Sequence, residues 1–291
     1  MKRRKRGECV QAKRITVLSI VINATLFLLK LGAGLAAGSL AVLADATNSL
    51  LDTLYSLGVK WSVEESHRKA DKGHPFGHAR AEPMVAFVVA ILMGIAAFEF
   101  LRSAVFNLIF GSAGQHLDWG IATLLLIAIA AKILLSHEAG IAGKRLKSPA
   151  LITTAVDSRN DVLITCTALV GLVFAASGWS WMDDVAALFI AVFLFVEAYK
   201  LGRRNMDYLL GAAPPDELEH KIRAVVTHVR GVRGIVQVRA HYVGSFVHVA
   251  ISIIVNPHIS TAASHKIAEA VQHDIELFDE VNKAFVHVEP A

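Results

Sequence analysis

Cysteine is scarce in this chain. Its 291 residues include only two cysteines, Cys9 in a basic N-terminal stretch and Cys166 in an apolar run, and they form no Cys-x-x-Cys pair. This usage argues against a disulfide framework and against a zinc knuckle built from cysteines. The sequence also contains no internal repeat and no low-complexity segment.

Charged residues are also few, at 19%, whereas hydrophobic residues make up 54%. This composition is too apolar for an ordinary soluble domain and indicates a polytopic membrane protein. The long apolar runs lie between residues 15 and about 210, and the chain from Pro214 onward is polar. The formal net charge of +4 does not favour nucleic acid as a partner. Most basic residues flank apolar runs, a pattern typical of membrane topology.

The apolar runs predict six membrane-spanning helices, because a hydrocarbon core of roughly 30 Å requires about 20 helical residues. The first run is expected to be retained rather than cleaved, since no small-residue cleavage site follows a short apolar core. The predicted spans are Ile15–Ala37, Leu40–Trp61, Met84–Phe110, Trp119–Ser136, Ala150–Ser177 and Met182–Leu201.

Basic residues follow a one-sided pattern along these spans. They occur before the first span, between the second and third, between the fourth and fifth, and after the sixth. The opposite connections, near Gly38, Gly111–Leu117 and Gly178–Trp181, contain no Lys or Arg. The positive-inside rule therefore predicts that both termini are cytoplasmic. We expect an integral protein of a bacterial inner membrane, or of an organelle membrane derived from it.

The polar C-terminal part predicts a small α+β domain. Pro214-Pro215 is expected to break the sixth helix, with Asp216 as the N-cap of the next one. The pattern then gives the order αββαβ, with helices on one face of a sheet, as in metallochaperone-like folds. Its predicted elements are Asp216–Val229, Ile235–Tyr242, Phe246–Val255, Thr261–Phe278 and Ala284–Val288. The predicted domains are a basic tail (1–14), a six-helix transmembrane domain (15–211) and a cytoplasmic domain (212–291).

Two predicted spans carry polar pairs one helical turn apart: Asn48 and Asp52 in the second, Asp157 and Asp161 in the fifth. Residues at i and i+4 share a helix face, so each pair can present two oxygen donors to one point. Carboxylates inside a bilayer are costly and usually mark an ion pathway or binding site. The pattern suggests one buried cation site between two helices. For Asn48 alone, cross-linking of helices is an equal alternative.

Three other charged residues in these spans are interpreted differently. Asp45 is expected to neighbour the site or its access path rather than to bind the ion. Arg159, two residues from each acid of its helix, should face another side. Glu99 is expected to be structural and paired with Arg102.

Three motifs resemble those of the cation diffusion facilitators, a family that exports divalent metals from the cytoplasm. They are GSLAVLADATNSLLD in the second helix, DKGHPFGHARAEP in the following loop and SPALITTAVDSRNDVLIT in the fifth helix. The resemblance implies a homodimer in the lipid membrane that works by alternating access and proton antiport. It also implies a tetrahedral transport site formed by Asn48, Asp52, Asp157 and Asp161.

None of these four positions is a histidine, although zinc-exporting members typically have one there. One amide and three carboxylate oxygens suit Mn²⁺ or Fe²⁺ better than Zn²⁺. Because metal ligands must be deprotonated, a proton held by a metal-free carboxyl would leave as the metal binds. The metal is thus a substrate, and no permanent cofactor is expected.

The alternatives are a Zn²⁺, Co²⁺ or Ni²⁺ exporter and a membrane scaffold or metal sensor. An enzyme ranks last, because no nucleophile–base set lies at one membrane depth.

The resemblance implies two further metal sites. One would use Asp71, His74 and His78 in the loop after the second helix; the alternative is that His78 and Arg80 only cap the third helix or bind the next helix. The other would use His265, His287 and Glu289, shared between protomers in the cytoplasmic domain. Expected ligands there are replaced by Ser252 and Val236, and surface histidines without a metal are an equal alternative. His241, His248 and His273 are candidate substitutes.

Overall fold

The computed structural model describes residues 2–66, 71–111, 119–146 and 149–291. The chain divides into two compact units. We call Met1–Gly58 with Val88–Gly202 the membrane unit, and Val59–Phe87 with Arg203–Ala291 the C-terminal unit. The C-terminal unit thus also includes the end of the second helix and the start of the third, so it is larger than the domain predicted from the polar C-terminal sequence.

Six long helices occupy the N-terminal two thirds of the chain, as expected where backbone polar groups must be satisfied within each segment. They are α1 (Lys2–Ala37), α2 (Leu40–Ser66), α3 (Ala81–Phe110), α4 (Trp119–Leu146), α5 (Pro149–Ala176) and α6 (Trp181–Leu210).

Five of these six helices are long and apolar enough to cross a membrane, namely α1, α3, α4, α5 and α6. The helix α2 has 27 residues but does not reach the same hydropathy, because Asp45, Asn48 and Asp52 interrupt its apolar run. Five apolar helices and one further helix, α2, are therefore present in this region, and the membrane crossing of α2 stays a prediction.

The sixth helix continues nine residues beyond the predicted end at Leu201 and stops at Leu210. Gly211 follows with a φ of 77°. Its N–H donates to the Tyr208 carbonyl (3.3 Å), and the Ala212 N–H donates to the Asp207 carbonyl (2.9 Å). This pattern is a Schellman motif, in which glycine accepts the left-handed conformation. The prediction that Pro214-Pro215 ends the helix was wrong, since Gly211 ends it first.

Small residues allow close helix packing in the membrane unit. A Cβ at Gly171 of α5 would lie 2.4 Å from Cβ of Ala186 in α6. A Cβ at Gly143 of α4 would lie 2.9 Å from Cγ1 of Ile152 in α5. Glycine is thus required where these helices touch, as is common between helices in membranes. The outer faces carry exposed apolar side chains, which suits contact with lipid.

The C-terminal unit has the predicted element order αββαβ. Its elements are α7 (Asp216–His228), β1 (Gly234–Val243), β2 (Phe246–Val255), α8 (Thr261–Glu276) and β3 (Val281–Pro290). The sheet order is β1-β2-β3, with β1 antiparallel and β3 parallel to β2. A core of aliphatic residues from α7, α8 and β2 lies between helices and sheet.

The start of α7 corrects one prediction. Pro215 is the N-cap, with φ −55° and ψ 144°, and no side chain caps the helix there. Asp216 is instead the first helical residue. In that position it stabilises the helix through the dipole at its N-terminus, together with Glu217 and Glu219 in the same turn.

Candidate metal centre

Asn48 joins the two helices that carry the predicted transport ligands. Its Nδ2 donates to Oδ1 of Asp161 in α5 at 2.8 Å and lies 3.4 Å from Oδ2 of Asp52, one turn away in α2. Asn48 and Asp161 are both buried, and the carboxyl groups of Asp52 and Asp161 are close enough to interact directly. The structure thus brings three of the four predicted ligands together, on the helix faces that their spacing predicted.

Asp157, the fourth predicted ligand, lies one helical turn before Asp161 on α5. Its side chain is exposed rather than buried, yet it is near enough to Asp161 and Lys132 for their charges to interact. It therefore flanks the other three ligands. A cation bound by all four would require Asp157 to turn toward Asp161.

A buried lysine contacts this group of ligands. Nζ of Lys132, in α4, forms an ion pair with Oδ2 of Asp161 and donates to Oδ1 of Asn23 in α1 at 2.6 Å. The lysine side chain is only 1% exposed. Both carboxylate oxygens of Asp161 are thus engaged, one by Asn48 and the other by Lys132.

A second buried lysine lies on α1. Nζ of Lys30 donates to Oδ1 of Asp45 (2.8 Å), to Oγ1 of Thr165 (2.9 Å) and to Oγ of Ser49 (3.4 Å). Oγ1 of Thr165 also lies 3.2 Å from Oδ1 of Asp45. Asp45 therefore has a lysine partner, which agrees with its interpretation as a neighbour of the site rather than a ligand.

Sequence reasoning missed Lys30 and Lys132. Each interrupts an apolar run, in the stretches LFLLKLG and AIAAKILL. The rule that singled out the acids, that an ionisable residue inside a membrane usually has a partner or a function, applies equally to these lysines. That signal was present in the sequence. The identity of each partner was not, because the pairs join different helices.

Asp183, at the start of α6, fixes the beginning of α2. Its carboxylate accepts hydrogen bonds from Ser39 Oγ (2.5 Å) and from the Leu40 N–H (2.7 Å). Ser39 Oγ in turn accepts from the Val42 N–H at 3.1 Å. The negative charge satisfies the first amide groups of the helix. Asp183 thereby helps to position the helix that carries Asn48 and Asp52.

Two further predictions concern charged residues outside the ligand set. Arg159 donates from Nε to Ser136 Oγ of α4 at 3.3 Å, so it contacts α4 rather than α2. Arg102 forms the expected ion pair with Glu99, one turn earlier on α3, and that prediction is confirmed.

The loop residues Asp71, His74 and His78 form a compact group. Their potential ligand atoms all lie within 4.8 Å of one another. Among the described residues, this is the one group of three or more acidic, histidine or cysteine side chains that lie so close together. Nε2 of His78 lies 3.5 Å from Oδ2 of Asp71 and 3.8 Å from Oε1 of Glu65. The geometry therefore offers a candidate surface metal site, with Glu65 as an additional acid that was not predicted.

Local backbone geometry prepares Asp71 as a ligand. Its Oδ1 accepts the His74 N–H at 2.8 Å and the Gly73 N–H at 2.9 Å. The His74 N–H makes the largest contribution to lowering the pKa of Asp71 below its ordinary value, and the Gly73 N–H and the two histidines add to it. The carboxylate is thus charged at neutral pH.

The predicted ligands of the cytoplasmic domain do not meet within one protomer. His265, on α8, is exposed and lies 3.3 Å from Glu269. In β3, His287 is opposite Ser252 of β2, and Glu289 is opposite Ile254. Within the described part of the chain these three do not form a compact ligand group, so a site that uses them needs ligands from elsewhere.

His241 and His248 are paired across β1 and β2, with ring centroids 6.0 Å apart. His248 is buried and also lies against Phe285 (6.1 Å). Burial lowers the pKa of His248 below its ordinary value, and the charges of His241, Arg80 and Lys283 lower it further. His248 is therefore largely neutral at pH 7.

Known proteins resemble the whole chain. Residues 16–210 match the cation efflux transmembrane domain, and residues 214–291 match the cytoplasmic domain of cation efflux proteins. An uncharacterized transporter of Methanocaldococcus jannaschii, MJ0449, is 30% identical over 279 residues, covering 96% of this chain and 98% of that protein.

Two further relatives have names that state a function. The manganese efflux system protein MneP of Bacillus subtilis is 26% identical over 287 residues, covering 96% of each chain. Metal tolerance protein C1 of Arabidopsis thaliana is 28% identical over 298 residues, covering 97% of this chain and 63% of that protein. With two domain matches that together span nearly its full length, the chain is an integral membrane protein of the cation diffusion facilitator family of cation efflux transporters.

Proposed function

We propose that this transporter exports Mn²⁺ or Fe²⁺ from the cytoplasm in exchange for protons, with Asn48, Asp52, Asp157 and Asp161 as the ligands of the transported ion. The observation that carries the proposal is the contact of Asn48 with Asp161 at 2.8 Å, which joins the two ligand pairs across α2 and α5. Divalent metal export itself follows from the family.

The choice of metal rests on ligand chemistry. The four groups supply carboxylate and amide oxygens and no imidazole or thiolate, which favours Mn²⁺ or Fe²⁺ over Zn²⁺. A relative named as a manganese efflux protein supports the same choice. Zn²⁺, Co²⁺ and Ni²⁺ are the alternative substrates.

Proton exchange follows from the carboxyl groups of the site. Lys132 already balances the charge of Asp161, so we assign an exchanged proton to Asp52, whose side chain is half-buried. A carboxyl group away from water favours its protonated form, whereas a metal ligand must be deprotonated. Metal entry on one side therefore releases protons, and metal release on the other side allows their uptake.

We further propose a homodimer joined through the C-terminal unit, with both termini in the cytoplasm. The match of residues 214–291 to the cytoplasmic domain of cation efflux proteins supports this arrangement. The Asp71, His74 and His78 group would then face the cytoplasm, where it could bind the metal before transport.

Uptake by inverted vesicles tests the proposal. Vesicles that contain the full chain, and matched vesicles without it, are given Mn²⁺, Fe²⁺ or Zn²⁺ separately under an imposed pH gradient. We expect uptake of Mn²⁺ or Fe²⁺ that depends on the gradient and is lost in Asp157→Asn, but kept in a control variant of an exposed acid on α7, Glu217→Gln. Equal uptake by Asp157→Asn, or by vesicles without the protein, would contradict the assignment.

A further inference from the structure

Each carboxylate oxygen of Asp161 already has a partner in this arrangement. Its Oδ1 accepts from Asn48 at 2.8 Å, and its Oδ2 is paired with the ammonium of Lys132. A dication that uses Asp161 as a ligand must share its carboxylate with these two contacts or replace one of them. The amide of Asn48 is neutral, belongs to the ligand set itself and can turn its oxygen toward the ion, whereas the ammonium of Lys132 repels a dication at Asp161 while it stays in place.

Lys132 is held where it can compete with the ion but cannot leave the site. It is 1% exposed, and Asn23 of α1 accepts from its Nζ at 2.6 Å. Its helix packs tightly on α5, since a Cβ at Gly143 would lie 2.9 Å from Cγ1 of Ile152. A modest side-chain movement, with Asn23 as the remaining partner, is enough to release Asp161.

The other buried lysine provides a contrast. Lys30 contacts Asp45, Thr165 and Ser49, and none of these is a proposed ligand. Its ion pair can thus stay intact when a metal binds. Among the buried lysine ion pairs that the structure describes, only the pair of Lys132 with Asp161 involves a carboxylate that is a proposed metal ligand.

We propose that Lys132 is a tethered competitor of the transported metal. Its ammonium takes the place of the dication on Asp161, and the dication displaces it on binding. This inference rests on the proposed function and deepens it, because it makes Lys132 a determinant of metal affinity. A transport site must bind its ion strongly enough to load and weakly enough to release. A fixed positive charge beside the ligands repels the dication, so it weakens metal binding and favours release.

The competing explanation is that Lys132 only links α1, α4 and α5. Both explanations predict lower stability when the lysine is removed, because a buried ion pair is broken. They differ in metal affinity. A competitor, once removed, leaves tighter binding, whereas a structural link leaves binding unchanged or weaker.

Two variants separate these explanations by the sign of their effects. Lys132→Met removes the charge with little change in volume, and we expect the Kd for Mn²⁺ to fall about tenfold or more, since a cation is removed from within a few ångströms of the bound dication. Asn23→Ala removes the other acceptor of Lys132 and should hold the ammonium on Asp161, which raises the Kd. A purely structural role predicts the same direction for both variants.

Mn²⁺ titration of the purified full chain in detergent, by calorimetry, measures these constants. Lys132→Arg keeps the charge and should keep weak binding. The double variant Lys30→Met with Asp45→Asn removes a buried ion pair that lies outside the ligand set and has no net charge. It should leave the Kd near that of the wild type. The proposal is overturned if Lys132→Met binds Mn²⁺ no more tightly than the wild type.

The thermal shift caused by Mn²⁺ gives a second reading if Lys132→Met is unstable. Tighter binding enlarges the increase in Tm at a given Mn²⁺ concentration, even when the starting Tm is lower. A smaller increase than in the wild type would count against the competitor role. If the wild type itself neither binds nor transports Mn²⁺, Fe²⁺ or Zn²⁺, the proposed function fails. If the wild type binds and Lys132→Met does not bind more tightly, only the role of Lys132 fails.

Discussion

Nζ of Lys30 lies 2.8 Å from Oδ1 of Asp45, and neither side chain is exposed. The pair joins α1 to α2, and Thr165 connects both residues to α5. Thr165 also donates to the backbone carbonyl of Asp161 at 2.9 Å. The ion pair therefore holds α2 beside the turn of α5 that carries a proposed ligand, although it is not part of the ligand set.

The first prediction concerns this pair. Lys30→Met should lower the free energy of unfolding by about 3 kcal/mol or more, because it leaves the carboxylate of Asp45 buried without its cation. The double variant Lys30→Met with Asp45→Asn should regain most of that loss, because no buried charge is left unpaired. Thermal or denaturant unfolding in detergent measures both. Equal losses in the single and double variants would show that the pair is not coupled.

The second prediction separates the two acids of α5. Asp157→Ala and Asp161→Ala should each abolish metal uptake by vesicles. Asp157→Ala should keep the stability of the wild type, because the side chain of Asp157 is exposed. Asp161→Ala should lower it, because Lys132 would be left buried without its carboxylate. Unfolding of both variants in detergent decides this, and full uptake by either one would reject the assignment of that residue.

From the sequence alone, with no partner known for either acid, neither substitution is expected to affect folding, because a buried acid without a partner contributes nothing to stability. The spacing of Asn48, Asp52, Asp157 and Asp161 was enough to place two pairs on two helix faces, because helical periodicity is a local property. The pairing of Asp161 with Lys132 depends on how α4 packs against α5, which no local pattern contains.

Helix ends also show which features follow from local sequence patterns and which do not. The turn and strand signals of the C-terminal unit are local, so the sequence predicts the order of its elements correctly and their bounds within a few residues. The end of α6 was placed early because the charges after Leu201 suggested a membrane boundary. The helix continues through them to Gly211, since charged residues can extend a helix beyond the bilayer and only the glycine supplies the left-handed conformation that closes it.

The third prediction concerns selectivity. Asp157→His replaces a hard oxygen donor with imidazole and should shift preference toward Zn²⁺. Vesicle uptake from mixtures of Mn²⁺ and Zn²⁺ measures the ratio, with Asp157→Glu as a control that changes the side chain but keeps a carboxylate donor. A wild type that already prefers Zn²⁺ over Mn²⁺ would refute the argument from ligand hardness.

The fourth prediction concerns pH. Burial holds the pKa of His248 below its ordinary value of 6.5, so the unfolded chain binds more protons than the folded chain below about that pH. His248 therefore costs stability as pH falls through 6.5, and the cost is complete once the pH is below the folded pKa. His248→Phe should flatten the fall in Tm between about pH 7 and pH 5. The exposed His220→Gln is the control, and an unchanged slope in His248→Phe would contradict the prediction.

The last prediction concerns metal binding by the cytoplasmic domain. Its core is formed within residues 218–284, so the segment 212–291 should fold when expressed alone. If it senses metal, binding should tighten its dimer, because a ligand stabilises the state that it prefers. His265, His287 and Glu289 lie on α8 and β3 without meeting, so one protomer could supply only part of a coordination shell.

We expect weak binding, because Ser252 lies opposite His287 where the family resemblance leads one to expect a ligand. Calorimetry with Mn²⁺, Fe²⁺ and Zn²⁺, together with sedimentation at several protein concentrations, measures binding and dimer stability. His265 lies on α8 and His287 lies on β3. If two protomers share one metal site through these residues, His265→Ala and His287→Ala should each reduce the heat of metal binding. No heat with any of the three metals, and no change in the dimer, would leave this domain with a purely structural role in dimerisation.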